Sequence, residues 1–301
     1  MSEAKDILRV AAIQLVSIDD LAANLDTAGQ LIDEAVDRGA SLIVLPENFA
    51  FLGQRATDYT AVGETEDGSG PIQSFLARKA ATHGIWLIGG SVPLAPPDRY
   101  IEPTRVIPAC LVYSPQGERR ARYDKIHLFD VGMPGSKEAY RESAMFIPGP
   151  LTPQVVDTDA GRIGLSICYD LRFPELYRAL ADACAELVVA PSAFTETTGQ
   201  AHWHVLVRAR AIENQLPIIA PGQAGVQANG RQTYGHSLIV DAWGRIQAEA
   251  TTDGPEVVIA DLDRTHMPAL RSRFPALRHR RLSVYETHMA HAATDASASN
   301  P

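Results

Sequence analysis

Cys168, Glu47 and Lys125 are the residues of this chain whose types and settings could do chemistry together. Cys168 closes the apolar run of 162-RIGLSIC-168 and is followed by Tyr-Asp-Leu-Arg, with Pro174 placed as a first helical residue. A strand-to-helix junction there would set the sulfur at a sheet edge beside helix N–H groups, which favour a thiolate. The plain alternative is a small buried hydrophobe, and Cys110 and Cys184 are read that way. A thiol nucleophile needs a base, because a free cysteine is only a few per cent thiolate at neutral pH. It also needs a donor for the oxyanion of an attacked carbonyl. Glu47 directly follows the apolar 41-SLIVLP-46, where a carboxylate is costly unless used or paired. Lys125 lies in 119-RRARYDKIHLFD-130, where local evidence alone reads as a solvated basic strand.

Other chemistries have weaker support. The chain has no phosphate-binding G-x-x-x-x-G-K-[ST], no H-E-x-x-H, no C-x-x-C and no G-x-S-x-G. The pair in 202-HWH-204 faces different sides of a helix at its i,i+2 spacing and makes a poor metal site. A papain-like thiol enzyme, using His127, His202 or His236 as the base for Cys168, is an alternative mechanism. A non-catalytic binding or scaffold protein is a third class.

Strand and helix patterns alternate around these residues. Ile7 to Leu15 reads as a strand, and Asn24 to Arg38 as a helix with Leu25, Ala28, Leu31, Ile32, Ala35 and Val36 on one face. A short buried strand over 41–47, a helix from Pro71 to His83 and a strand over 85–91 follow. Segments 110–120 and 236–250 each read as strand, turn, strand, and Glu256 to Leu262 as a last strand. Between them lie two more strand–helix units, 162–168 with its helix and 186–194 with a helix from Ala201 to Asn214. Mixed sheets covered by helices follow, in one domain over 7–265. Residues 266–291 form a C-terminal extension whose arginine-rich part, Arg271 to Arg281, is either a docking segment or a solvated surface. The small polar stretch 292–301 reads as a disordered tail.

Composition sets the outer limits. In 301 residues, 46% hydrophobic and 21% charged content fits a globular protein with a substantial core. A net charge of −9 argues against a nucleic-acid binder, so an anionic substrate would need a specific Arg or Lys. No apolar run approaches the ~20 residues of a membrane span, and three cysteines are too few for a disulfide framework. With no leader-like apolar stretch at the N-terminus, a cytoplasmic location is the expectation.

Taken in order, LIVLPENF, RYDKIHLFDV and GLSICYDLRFPEL resemble the Glu, Lys and Cys motifs of the nitrilase superfamily of carbon–nitrogen hydrolases. The likeness continues through residues 190–223 and 234–244 and covers 7 to about 265. It implies a four-layer α-β-β-α sandwich, and a homodimer or larger homo-oligomer packed through a helical face. It also implies roles: Glu47 as general base, Lys125 as oxyanion stabiliser, Cys168 as nucleophile, and Glu142 as the residue orienting Lys125. The backbone N–H of Tyr169 would share the oxyanion. No metal or organic cofactor has a role in such a cycle, and the partner is a small amide.

Within the superfamily, 127-HLFDVGMPGSKEAYRES-143 and the Phe-Thr-x-x-Thr-Gly-Gln-Ala-His-Trp run look most like amidases acting on deaminated glutathione. The ω-amidases of α-ketoglutaramate and α-ketosuccinamate are close behind, and N-carbamoyl substrates share the same three residues. Arg172, four residues after the thiol, suits the carboxylate of an α-keto acid. Phe194 and Thr198 are expected walls of the pocket. Gly132 departs from the acidic residue that relatives often carry there, which bears on the substrate and not on the chemistry.

Overall fold

The computed structural model describes residues 6–97, 104–132, 139–227 and 230–282. The chain runs β1 (Ile7–Gln14), α1 (Leu21–Asp37), β2 (Leu42–Val44), α2 (Ala56–Val62), α3 (Pro71–His83), β3 (Trp86–Leu94), β4 (Ile107–Tyr113) and β5 (Arg119–Asp124). It continues with β6 (Asp130–Gly132), β7 (Ala139–Arg141), β8 (Gln154–Thr158), β9 (Gly161–Leu165), α4 (Pro174–Asp182), β10 (Leu187–Val189) and α5 (Glu196–Asn214). It ends with β11 (Ile218–Ala220), β12 (Ala224–Val226), β13 (Gln232–Tyr234), β14 (Leu238–Val240), β15 (Ile246–Glu249), β16 (Glu256–Asp263) and α6 (His266–Arg273).

Two six-stranded sheets carry the fold, in the orders β16-β1-β2-β3-β4-β5 and β15-β14-β11-β10-β9-β8. Their centres are parallel, β1-β2-β3 and β9-β10-β11, and their edges antiparallel. β1 shows why they stack. Leu8, Val10 and Ala12 join the cluster that reaches Leu165, Val189 and Ile219 of the second sheet, while Ala11 and Ile13 face Ala28, Ile32 and Phe75 of α1 and α3. A period of two thus gives each sheet two apolar faces, one for its partner sheet and one for helices. Leu176, Leu180, Trp203 and Val207 of α4 and α5 cover the second sheet, completing the four-layer α-β-β-α sandwich.

Local signals explain the boundaries. Asp20 caps α1 by accepting the Ala23 N–H at 3.1 Å, Pro71 opens α3, and Gly84 closes it at φ +63°. α5 begins at Glu196, five residues before the expected Ala201, because the Thr195 hydroxyl accepts the Thr198 N–H at 3.3 Å and caps the helix there. Cys184 departs from the buried reading. It occupies the left-handed turn after α4 at φ +60° and is exposed. Residues 266–282 dock on the second half of the chain: the Phe274 carbonyl accepts from Gln215 at 2.7 Å, Arg271 donates to Asn214 and Arg280 pairs with Asp182. The expected tail 292–301 lies outside the described residues, as do residues 133–138 of the segment after the Lys motif. No described helix is long and apolar enough to cross a membrane.

Candidate active site

Each of the three motifs reaches the site through a chain end just past a strand. β2 stops at Val44, so Glu47 stands three residues beyond it. Gly90 of β3 makes room for that turn: a Cβ there would lie 2.2 Å from the Leu45 carbonyl oxygen and 2.3 Å from that of Pro46. Gln223 and Ser91 fix the turn further, through Gln223 Nε2 to the Glu47 carbonyl at 2.9 Å and the Asn48 N–H to Ser91 Oγ at 2.8 Å. Lys125 follows β5 directly. Its carbonyl accepts the Gly149 N–H at 2.8 Å, and a Cβ on Gly149 would clash with the Asp124 carbonyl oxygen at 2.4 Å.

Cys168 corrects the expected strand end. β9 stops at Leu165, and Cys168 begins a 3-10 turn (Cys168–Arg172) with φ +48°. That backbone region costs a non-glycine residue about 1–3 kcal/mol and persists only where its surroundings enforce it. Asp170, which is fully buried, supplies the enforcement. Its Oδ2 accepts from the Ile167 N–H at 2.9 Å and the Tyr123 hydroxyl at 2.7 Å, and its Oδ1 from both the N–H and Nδ1 of His127. Cys168 N–H also donates to the Pro191 carbonyl at 2.8 Å.

These turns bring the charges together. Lys125 Nζ lies 2.8 Å from Glu47 Oε1 and 2.7 Å from Glu142 Oε1, with side chains 1%, 5% and 12% exposed. Burial opposes the ammonium, but the Glu142 and Glu47 carboxylates outweigh it and hold Lys125 well above the usual lysine range. Burial pushes the Glu142 carboxyl up, Lys125 pulls it down and Glu47 adds to the rise; the balance is upward. The Cys168 thiol is raised well above its ordinary 9.0, by burial first and then by Glu47, with Lys125 opposing. Burial and Glu47 thus oppose the thiolate that the strand-to-helix junction was expected to favour. Sγ accepts the Ala193 N–H at 3.5 Å.

One cleft of about 590 Å³, counting its open mouth, is lined by all eight residues singled out from the sequence: Glu47, Lys125, Glu142, Cys168, Tyr169, Arg172, Phe194 and Thr198. Arg172 stands over the Phe194 ring at 5.4 Å and the Tyr169 ring at 5.8 Å, and its Nη1 is 3.2 Å from His202 Nδ1.

A carbon-nitrogen hydrolase family model matches residues 9–272. The chain belongs to this family. It is 40% identical over 274 residues to a deaminated glutathione amidase of Synechocystis sp., an alignment spanning 90% of this chain and 97% of that one. The crystal structure of the Caenorhabditis elegans NitFhit protein matches with a TM-score of 0.84 and 35% identity, over 93% of this chain and 67% of that one. That of Saccharomyces cerevisiae Nit3, a member of branch 10 of the nitrilase superfamily, matches with a TM-score of 0.80 and 31% identity, over 92% and 97%.

In this carbon–nitrogen hydrolase no described histidine lines the cleft. His127 is held by Asp170 and stacked on Phe173, His202 faces Arg172, and His236 pairs with Glu249, so none sits beside the thiol as a papain-like base would. Sequence reasoning missed Tyr59, Phe129, Tyr140 and Phe146, which supply apolar walls, and Arg141 and Arg231, which bring two more guanidinium groups. Asp170 was missed too, although it stands two residues from the thiol. Placed just past the apolar run that ends at Cys168, it carries no local mark of its burial.

Proposed function

We propose that this hydrolase cleaves the amide bond of a small α-keto acid amide through an acyl-thioester on Cys168, with deaminated glutathione as its substrate. The supporting observation is a Glu47–Lys125–Glu142 cluster sharing one cleft with the Cys168 thiol and Arg172.

Glu47 takes the thiol proton as Sγ attacks the amide carbon, so the costly thiolate need not exist beforehand. The carbonyl oxygen becomes an anion beside Lys125, whose charge is secured by two carboxylates. The second donor is the Tyr169 N–H, which at the first turn of its short helix finds no main-chain carbonyl among the described residues. Protonated Glu47 then gives its proton to the leaving nitrogen, and the C–N bond breaks. Water enters, loses a proton to Glu47 and attacks the thioester. Collapse of the second oxyanion expels the sulfur, which recovers its proton from Glu47. Glu142 stays bonded to Lys125 throughout and aims it.

The substrate class rests on Arg172, whose planar fork can hold the α-keto acid carboxylate bidentately. The relative named as a deaminated glutathione amidase, at 40% identity over nearly its whole length, supports the longer substrate. Measuring kcat/KM on deaminated glutathione and on α-ketoglutaramate tests both levels. A clear preference for the former is expected, with release of Cys-Gly. Equal or reversed preference defeats the substrate, and full turnover by Cys168→Ala defeats the mechanism.

A further inference from the structure

We propose that His204, His236 and Glu249 form a second site, outside the cleft, that binds one first-row transition-metal ion such as Zn²⁺. They come from three elements: α5, the segment between β13 and β14, and β15. Glu249 Oε1 lies 2.8 Å from His204 Nε2 and 2.8 Å from His236 Nδ1, and the three donor atoms all fall within 4.8 Å of one another. Tetrahedral donors on one zinc ion at 2.0–2.1 Å lie about 3.4 Å apart, so the two imidazole nitrogens would close by up to about 1.4 Å and the carboxylate oxygen would open by about 0.6 Å. Two imidazoles and a carboxylate are a zinc ligand set that leaves a further coordination position open. The three side chains are 31%, 39% and 30% exposed, enough for an ion to enter from solvent.

The surroundings hold the ligands in place. His236 is kept at φ +49°, its carbonyl accepts from Trp203 Nε1 at 2.7 Å, and its ring stacks on Tyr234 at 4.3 Å. The Tyr234 ring also meets His204 edge-on at 6.0 Å. A strained residue fixed from three sides is a preorganised ligand rather than a casual surface contact.

Protons balance without an added reagent. Glu249 accepts only, so in the metal-free protein each facing imidazole nitrogen carries its hydrogen. On binding, each neutral ring moves that proton to its other nitrogen and donates the freed lone pair; a charged ring would release one proton to solvent. The bound ion ties α5 to β15 and to the His236 segment. It thereby braces Trp203, whose ring packs on Phe194 of the cleft wall at 5.0 Å.

Calorimetric titration of the chelator-treated full chain with Zn²⁺, and visible spectroscopy with Co²⁺, test this independently of any turnover. One equivalent is expected, unchanged in Cys168→Ala. It should be weakened in Glu249→Gln and His204→Gln by more than the ~10–100-fold typical of losing an outer partner. Zn²⁺ should raise the melting midpoint of the native chain and of Cys168→Ala but not of Glu249→Gln. Glu249→Gln keeps the side chain's shape, and its metal-free melt reports that it folds. No saturable binding, binding that survives both ligand substitutions, or a Co²⁺ spectrum with thiolate charge transfer would each overturn the site.

Discussion

Lys125 Nζ sits 2.8 Å from Glu47 Oε1 with both side chains out of water, and Glu142 closes the other side at 2.7 Å. Removing the ammonium strands two carboxylates where water cannot reach them, the costly way to break a buried pair. Lys125→Ala is therefore expected to lose about 3–5 kcal/mol of stability as well as its turnover. Glu47→Gln keeps the volume and one acceptor for Lys125, so it should fold normally while losing at least ~10² in kcat. Urea melts and steady-state rates on both variants check this. A Lys125→Ala protein as stable as the native chain would show that the cluster is not energetically coupled.

The raised thiol gives a pH signature. For Cys168, burial and then Glu47 disfavour the anion, so alkylation by iodoacetamide should still climb with pH beyond the ordinary thiol value of 9.0. In Glu47→Gln one negative charge is gone, and the midpoint should move down toward the ordinary value. The sign is fixed: removing an anion favours forming another beside Lys125. Rates are read from single-site labelling in a Cys110→Ala, Cys184→Ser background. A plateau near neutral pH in the native site would mean a preformed thiolate and would remove the need for Glu47 in the first step.

How far the sequence carried this reading depends on how local each determinant is. Glu47 was legible because a carboxylate ending an apolar run is out of place on local grounds. The sandwich itself rested on short apolar runs too ambiguous to name layers, and the ordered motifs supplied what periodicity lacked. The chain's conformation at Cys168 was not legible. Its φ of +48° depends on Asp170, whose partners Tyr123 and His127 lie 47 and 43 residues away. Arg231 illustrates the same limit. It reaches the cleft by donating to the Ala193 carbonyl, 38 residues distant, and nothing near it in sequence marks it.

Arg172 makes the next expectation. If it grips the carboxylate of the substrate, Arg172→Met should cost roughly 10–150-fold in kcat/KM, the range of ~1.5–3 kcal/mol for a hydrogen-bonded charge. The loss should fall on α-keto acid amides and spare a neutral aliphatic amide of similar length. Lysine restores the charge but not the fork, so Arg172→Lys should recover only part. Equal losses on acidic and neutral amides would make Arg172 a structural residue held by His202 and the Phe194 ring.

Asp170 closes the series because it separates shape from chemistry. Its carboxylate takes four donors from Ile167, Tyr123 and His127 and bonds directly to neither Sγ nor Lys125. Asp170→Ala leaves the buried Ile167 N–H and Tyr123 hydroxyl unpaired and releases the half-buried His127, and should lose about 3 kcal/mol. The 3-10 turn would then relax from its left-handed start, moving Sγ away from Glu47 and lowering kcat more than it raises KM. Tyr123→Phe removes one donor while the other three remain, so it should cost only about 1 kcal/mol and leave kcat within a few-fold. Melting curves with kcat and KM for the two variants decide the matter. If Tyr123→Phe proved as damaging as Asp170→Ala, the hydroxyl rather than the turn would be holding the nucleophile.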